Sequence, residues 1–126
     1  MKVVGRTEQW QGGPGTYMSV TFNDGPAPIM FFALGARGKP AEAVADEAAE
    51  QAIEYFDSGA AVDSHSADQI VLPLAFAKEA SEFTVAQVTE HLRTNVSVIR
   101  LFLPREIEVE GGDDGPGVVR IAATMI

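Results

Sequence analysis

The chain has 126 residues, of which 46 % are hydrophobic, and this composition predicts one folded domain over residues 1–126 rather than a disordered chain. Its formal charge of −9, from 18 acidic and 9 basic residues, opposes nucleic-acid binding through a broad basic surface. The absence of cysteine excludes disulfides, cysteine-ligated zinc and thiol catalysis. No apolar run is long enough to cross a bilayer and the first residues lack a signal-peptide core, so we expect a cytoplasmic protein without a membrane partner.

The first half of the sequence predicts strands followed by a long acidic helix. The strands are predicted at residues 2–9, 16–23 and 29–35, the last being an apolar run that fits a central strand. The helix follows from Pro40, which suits a first helical position, to Gly59, which suits a left-handed cap. Its acidic residues predict a solvated face, and its predicted buried stripe contains Val44, Ala48, Ala52, Ile53 and Phe56.

The second half predicts a helix, a strand, a second helix and a hairpin. The first of these helices begins after Asp63 or Ser64 as N-cap, is apolar nearly all round, and contains Pro73, which predicts a kink or an early end. A strand is expected at residues 82–88, and a helix from Thr94, as N-cap, to Leu103. The predicted hairpin joins residues 105–111 to 117–123 through "GGDDGPG".

This order of elements predicts an α+β fold, with helices packed on one face of a mixed or antiparallel sheet. The other face of the sheet would then need cover. Because the runs 29–34 and 118–122 are apolar, we expect self-association or a companion domain to supply that cover.

His91 is the leading candidate for chemistry. It lies three residues before the N-cap predicted at Thr94, so its ring would lie beside a helix start, whose N–H groups and partial positive charge suit phosphate oxygens. Arg93 adds a permanent cation nearby. A neutral imidazole there is a plausible nucleophile toward phosphorus. From spacing alone, a structural histidine at a strand–helix junction is the more common alternative.

A second polar group, made of His65, Asp68 and Gln69, falls on the first turn of the preceding helix. Residues at i, i+3 and i+4 share one face, so these three side chains can touch. One histidine and one carboxylate make a poor metal site, and helix capping is the simpler interpretation. The glycine-rich stretches "GGPG" and "GGDDGPG" are typical of turns and lack the context of phosphate or calcium loops.

The stretches "SGAAVDSHSADQIVLPLAFA" and "FTVAQVTEHLRTNVSVIRLFLP" resemble the C-terminal part of the RNA 3′-terminal phosphate cyclase family, within a similarity over roughly residues 13–122. The resemblance implies a βαβαββ-type repeat unit, similar to those of enolpyruvyl transferases. It also implies an ATP-dependent conversion of an RNA 3′-phosphate to a 2′,3′-cyclic phosphate through a histidyl-AMP intermediate. His91 matches the nucleophile of that reaction, and Asp68 and Gln69 match the adenylate pocket, with His65 and Arg93 beside them.

By the same resemblance, the cofactors are ATP and a divalent metal, Mg²⁺ or Mn²⁺, and the partner is an RNA 3′-phosphate end. The similarity covers only about the last third of the family chain, and the N-terminal portion that contacts nucleotide and RNA has no counterpart here. We therefore expect an incomplete pocket, completed by a homodimer or by a separate N-terminal partner domain. The alternative is a non-catalytic scaffold in RNA processing that descends from the cyclase.

Overall fold

The computed structural model describes residues 15–23 and 28–124, in which eight elements follow one another in the predicted order. They are β1 (Tyr17–Phe22), β2 (Ile29–Leu34), α1 (Ala41–Ser58), α2 (Ser64–Phe76), β3 (Ser81–Val85), α3 (Glu90–Phe102), β4 (Ile107–Gly111) and β5 (Gly117–Ile121). The predicted α+β class is confirmed. The strand predicted at residues 2–9 and most of the "GGPG" turn lie outside the described residues. No helix of the described part is long and apolar enough to span a bilayer.

The chain divides into two compact units, residues 1–52 and residues 53–126. In the first unit β1 pairs antiparallel with β2, and Tyr17 lies opposite Leu34. Ala33 of this sheet packs with Val44 and Ala48 of α1 in a small core. The single domain predicted over residues 1–126 stays a prediction.

The ends of α1 agree closely with the sequence, but its buried stripe is narrower than predicted. The Pro40 carbonyl accepts hydrogen bonds from the first turn, so Pro40 precedes the helix instead of occupying its first position. Gly59 adopts a φ of 65° after the last turn, as predicted for a left-handed cap. Ile53 and Phe56 were expected in the core and are more than half exposed, because only the i, i+4 row that begins at Val44 is covered.

The second unit has a three-stranded antiparallel sheet in the order β3-β5-β4. Val62 adds a single parallel bridge to Val85, with Val62 N–H donating to the Thr84 carbonyl at 3.1 Å. The bridge, α2, β3, α3, β4 and β5 therefore follow the βαβαββ order of the predicted repeat unit. Both helices pack on one face of the sheet, and the core consists of Ala67, Val71, Ala75, Val85, Val88, Leu92, Val96, Ile99, Ile107, Val119 and Ile121.

The outer face of this sheet is charged, which corrects the expectation of an apolar face at residues 118–122. Val119 and Ile121 point into the core, whereas Arg120 between them is exposed. Arg120 donates to Glu82 at 2.8 Å and to Glu110 at 2.6 Å across the strands, and these hydrogen bonds raise the pKa of its guanidinium further. In contrast, alternate residues of the apolar run 29–34 do leave large side chains in water, namely Met30, Phe32 and Leu34.

The helix α2 also departs from the sequence interpretation. It was expected to be buried on more than one side, but Leu72 is 46 % and Phe76 is 68 % exposed. The helix continues for one turn beyond Pro73 before it ends at Phe76. The α2 residues that are buried belong to one row at i, i+4 and i+8, so α2 has one covered side and one apolar side that remains exposed.

Candidate functional site

The start of α3 places His91 inside the helix rather than ahead of it. The prediction of Thr94 as N-cap is wrong: α3 begins at Glu90, and Thr89 accepts a hydrogen bond from the Leu92 N–H at 3.1 Å. Thr89 and Thr94 can each cap a helix. Thr89 is the N-cap because Leu92 already belongs to the buried row of the helix. His91 is therefore the second helical residue, in the turn whose N–H groups have no partner within the helix.

The start of α2 agrees with the prediction. Asp63 is the N-cap, and its buried carboxylate accepts hydrogen bonds from the N–H groups of His65 at 3.1 Å and Ser66 at 3.0 Å. Tyr55 donates its hydroxyl to the Ala61 carbonyl at 3.1 Å. Burial and, secondly, the negative charge of Asp63 raise the pKa of Tyr55. The Asp63 carboxylate compensates the partial positive charge at the start of α2.

A pair of side chains joins the first turns of α2 and α3. His91 Nδ1 lies 2.8 Å from Asp68 Oδ2, and Asn95 donates its side-chain amide to the Asp68 carbonyl at 2.6 Å. The imidazole is 87 % exposed, whereas the Asp68 carboxylate is only 21 % exposed. The His91 contact holds the Asp68 carboxylate against α3, the Asn95 contact holds the backbone of the same residue, and most of the His91 ring stays exposed.

The predicted local group of His65, Asp68 and Gln69 does not form. Asp68 pairs with His91 instead, and within residues 15–23 and 28–124 neither the His65 nor the Gln69 side chain makes a hydrogen bond. Both are exposed on α2 at i and i+4, so they share one side of the helix. Asn95 was missed at the sequence level, although its position one turn after His91 in "HLRTN" is a signal for the same side of α3.

The Arg93 side chain extends from α3 to the β4–β5 hairpin. Its guanidinium donates to the Gly111 carbonyl at 2.9 Å and lies 3.8 Å from the Asp113 carboxylate. Arg93 therefore has partners of its own, which the expectation of a permanent cation near His91 did not include. Gly111 accepts this contact at a φ of 146°, a conformation that favours glycine.

The Asp68–His91 contact selects between the two neutral forms of the ring. An ionised carboxylate only accepts hydrogen bonds, so a neutral imidazole in this contact has its proton on Nδ1 and its lone pair on Nε2. A lone pair on an exposed nitrogen is the requirement for a histidine nucleophile, and a carboxylate behind the ring stabilises positive charge that develops on attack. No group of three or more histidine, aspartate or glutamate side chains in the described part is arranged to hold a metal ion.

Comparison with known proteins gives the same family as the sequence motifs. The family model described as RNA 3′-terminal phosphate cyclase matches residues 4–109. A relative of that name from Thermococcus gammatolerans is 47 % identical over 109 residues, which cover 86 % of this chain and 31 % of the relative. The corresponding protein of Salmonella typhimurium is 43 % identical over 103 residues, covering 82 % of this chain and 30 % of the relative.

A third relative, from Methylococcus capsulatus, is 48 % identical over 91 residues, which are 72 % of this chain and 25 % of that protein. The chain thus spans less than a third of the length of these curated relatives. Since the family model covers most of the sequence, the chain belongs to the RNA 3′-terminal phosphate cyclase family.

Proposed function

We propose that His91 accepts AMP from ATP, which is the first step of the RNA 3′-terminal phosphate cyclase reaction. The observation that carries the proposal is the 2.8 Å contact between His91 Nδ1 and Asp68, which leaves Nε2 as the exposed nucleophilic atom. Membership of the cyclase family supports the same assignment, because His91 of "HLRTN" matches the family nucleophile by resemblance.

The step proceeds by attack of the Nε2 lone pair on the α-phosphorus of ATP. A nitrogen–phosphorus bond forms while the bond to pyrophosphate breaks and its electron pair leaves with pyrophosphate. The Nδ1 proton stays on the ring, and the Asp68 carboxylate offsets the positive charge that the ring gains. In the whole reaction, AMP passes to an RNA 3′-phosphate, and the neighbouring 2′-hydroxyl displaces AMP to close the 2′,3′-cyclic phosphate.

The first turn of α3 supplies part of a phosphate site in this proposal. Thr89 uses one N–H of that turn, and the helix dipole favours an anion there. His65 and Gln69, both exposed on α2, are the side chains that we assign to nucleotide binding together with Asp68. Arg93 reaches a phosphate only by leaving the Gly111 carbonyl, so its contribution depends on movement of that side chain.

The remaining groups of the pocket come from outside this chain. The chain has a formal charge of −9 and covers less than a third of the length of its relatives. We therefore assign most phosphate-binding cations to a homodimer or a partner domain. We expect the divalent ion to arrive with ATP, since the described residues offer it no cluster of ligands. A cytoplasmic location, where ATP and RNA are available, is part of the proposal.

The experiment is intact-protein mass spectrometry after incubation with millimolar ATP and Mg²⁺. We expect an AMP adduct on the chain, no adduct on His91→Ala, and a slower but detectable adduct on His65→Ala. His65 is the second residue of α2, as His91 is of α3, so this variant separates loss of a nucleotide contact from loss of the nucleophile. A folded chain that never gains AMP would contradict the proposal and favour the non-catalytic scaffold.

A further inference from the structure

The turn between β4 and β5, residues 112–116, contacts the segment that leads into α3. The Val88 N–H donates to the Gly115 carbonyl at 2.7 Å, and the Asp114 N–H donates to the Val88 carbonyl at 3.0 Å. Val88 directly precedes Thr89, the N-cap of α3. Two backbone hydrogen bonds therefore join the β4–β5 turn to the residue before the cap.

Side-chain contacts add to this backbone connection. Val88 is buried, and it packs so closely on Gly117 that a Cβ atom at the glycine would collide with a methyl group of the valine. On the other side of the cap, Arg93 donates to the Gly111 carbonyl at 2.9 Å and lies 3.8 Å from the Asp113 carboxylate. The hairpin thus holds the chain both before and after the N-cap of α3.

The segment that leads into α3 is also held by the start of α2. The Ala86 N–H donates to the Val62 carbonyl at 2.9 Å, and Val62 directly precedes Asp63, the N-cap of α2. One short segment therefore sets the relative position of the two helix starts, which carry Asp68 and His91. The 2.8 Å contact between those two side chains depends on that position, because a hydrogen bond weakens steeply with distance and angle.

We propose that the β4–β5 turn is a positioning element of the adenylation site, which holds the start of α3 so that His91 Nδ1 stays on the Asp68 carboxylate. This role rests on the proposed function for its chemical meaning, but the placement of the ring can be measured without nucleotide. A loop of about two residues is enough to join antiparallel strands, so the longer "GGDDGPG" turn has residues left to bind the α3 start. Arg93 in this role acts through the turn and keeps the Gly111 carbonyl as its partner while ATP binds.

Asp114 allows the backbone of the turn to be changed separately from its charge. It is exposed and adopts a φ of 55°. Asp114→Pro removes the N–H that binds Val88 and cannot adopt this φ. Asp114→Gly removes the same carboxylate, keeps the N–H and tolerates the conformation. Any difference between the two variants therefore comes from the backbone of the turn.

The first readout is the tautomer of His91 in the chain without nucleotide. Long-range ¹H–¹⁵N correlations measure it at about pH 8, where an ordinary imidazole is neutral, with His65 as the internal reference for a ring without a partner among the described residues. We expect the share of Nδ1-protonated His91 to fall toward that of His65 in Asp114→Pro and to stay unchanged in Asp114→Gly. Arg93→Met should act like Asp114→Pro although no phosphate is present, whereas Arg100→Met, exposed in the last turn of α3, should not.

The second readout separates the rate of AMP transfer from the affinity for ATP. Asp114→Pro should slow adduct formation at saturating Mg²⁺–ATP by about tenfold and leave the ATP dissociation constant within about twofold, because a small displacement of a reacting group lowers the rate without removing a ligand contact. Asp114→Gly should keep both values. No adduct on the unmodified chain would contradict the proposed function, and the tautomer measurement would still decide the role of the turn.

The positioning role would be overturned by an unchanged His91 tautomer in folded Asp114→Pro and Arg93→Met. An equal change in Asp114→Gly would also overturn it, because the charge of the turn would then be the cause. Circular dichroism shows which variants are folded. If Asp114→Pro does not fold, the comparison of Arg93→Met with Arg100→Met decides the question, since neither substitution changes the backbone of the turn.

Discussion

The starts of α2 and α3 present the same residue in the same place with different surroundings. His65 and His91 are each the second residue of their helix. His91 has a carboxylate 2.8 Å from Nδ1, whereas the His65 side chain has no hydrogen-bond partner among the residues described. The helix position alone therefore does not distinguish the two histidines; the carboxylate partner of His91 does.

The two caps also differ in charge. The Asp63 carboxylate is buried and accepts two N–H groups of α2, while the Thr89 hydroxyl is neutral and accepts one of α3. The positive end of α2 is thus compensated within the fold, and that of α3 keeps more of its capacity for an external anion. Glu90, exposed in the first turn of α3, reduces this capacity but does not cap the helix.

The largest expected effect comes from removing the partner of His91. Asp68→Asn keeps the shape of the side chain but lets its amide donate toward Nδ1, which favours the tautomer with the proton on Nε2. We expect adenylation to slow by about 10²- to 10⁴-fold, measured by intact mass over time. Asp57→Asn, at an exposed position of α1, is the matched control. A rate within threefold of the unmodified chain would show that Asp68 is not needed.

The buried cap of α2 should matter more for stability than the cap of α3. Asp63→Ala removes two hydrogen bonds and should lower the free energy of unfolding by about 2 kcal/mol, against about 1 kcal/mol for Thr89→Ala. Urea unfolding curves of the two variants measure both values. Equal losses would mean that burial and the second hydrogen bond of Asp63 contribute nothing.

Replacing the Thr89 hydroxyl with a carboxylate tests the difference between the two caps further. Thr89→Asp should preserve stability but place a carboxylate where a phosphate would bind, so ATP affinity should fall about fivefold. Calorimetric titration with Mg²⁺–ATP measures the change. We expect weak binding in the isolated chain, and a submicromolar dissociation constant would contradict an incomplete pocket. An unchanged affinity for Thr89→Asp would remove the start of α3 from the phosphate site.

The smallest effect is expected at the unpaired histidine. His65→Ala should lower ATP affinity by a few-fold through loss of one nucleotide contact, because one exposed side chain contributes at most about 1 kcal/mol. The same titration measures it, with Ser66→Ala on the same turn as control. A loss as large as that of Asp68→Asn would mean that the two helix starts have been assigned the wrong roles.

Local patterns were sufficient for most elements. The alternation in residues 16–23, the glycine cap at Gly59, the Asp63 N-cap and the β4–β5 hairpin were all predictable, because each depends on neighbours in sequence. The start of α3 was predicted at the wrong residue because two threonines in this segment can each cap a helix. Choosing Thr89 required knowing that Leu92 lies in the core.

The candidate site was harder to predict, because it depends on contacts between distant residues. Asp68 and His91 are 23 positions apart and meet only because α2 and α3 pack side by side on one sheet. The partners of Arg93 on the hairpin also could not be predicted from the sequence, because they depend on where the turn after β4 lies. The family motifs indicate both residues as candidates, but only the fold pairs His91 with Asp68.

The most direct test of the account is the position of the His91 ring proton, read from long-range ¹H–¹⁵N correlations of the ¹⁵N-labelled chain. We predict a proton on Nδ1, held by Asp68, and an unprotonated Nε2, with His91→Ala identifying the signals. A ring with its proton on Nε2 in the folded chain would contradict the account, because the exposed nitrogen would then have no lone pair with which to attack phosphorus.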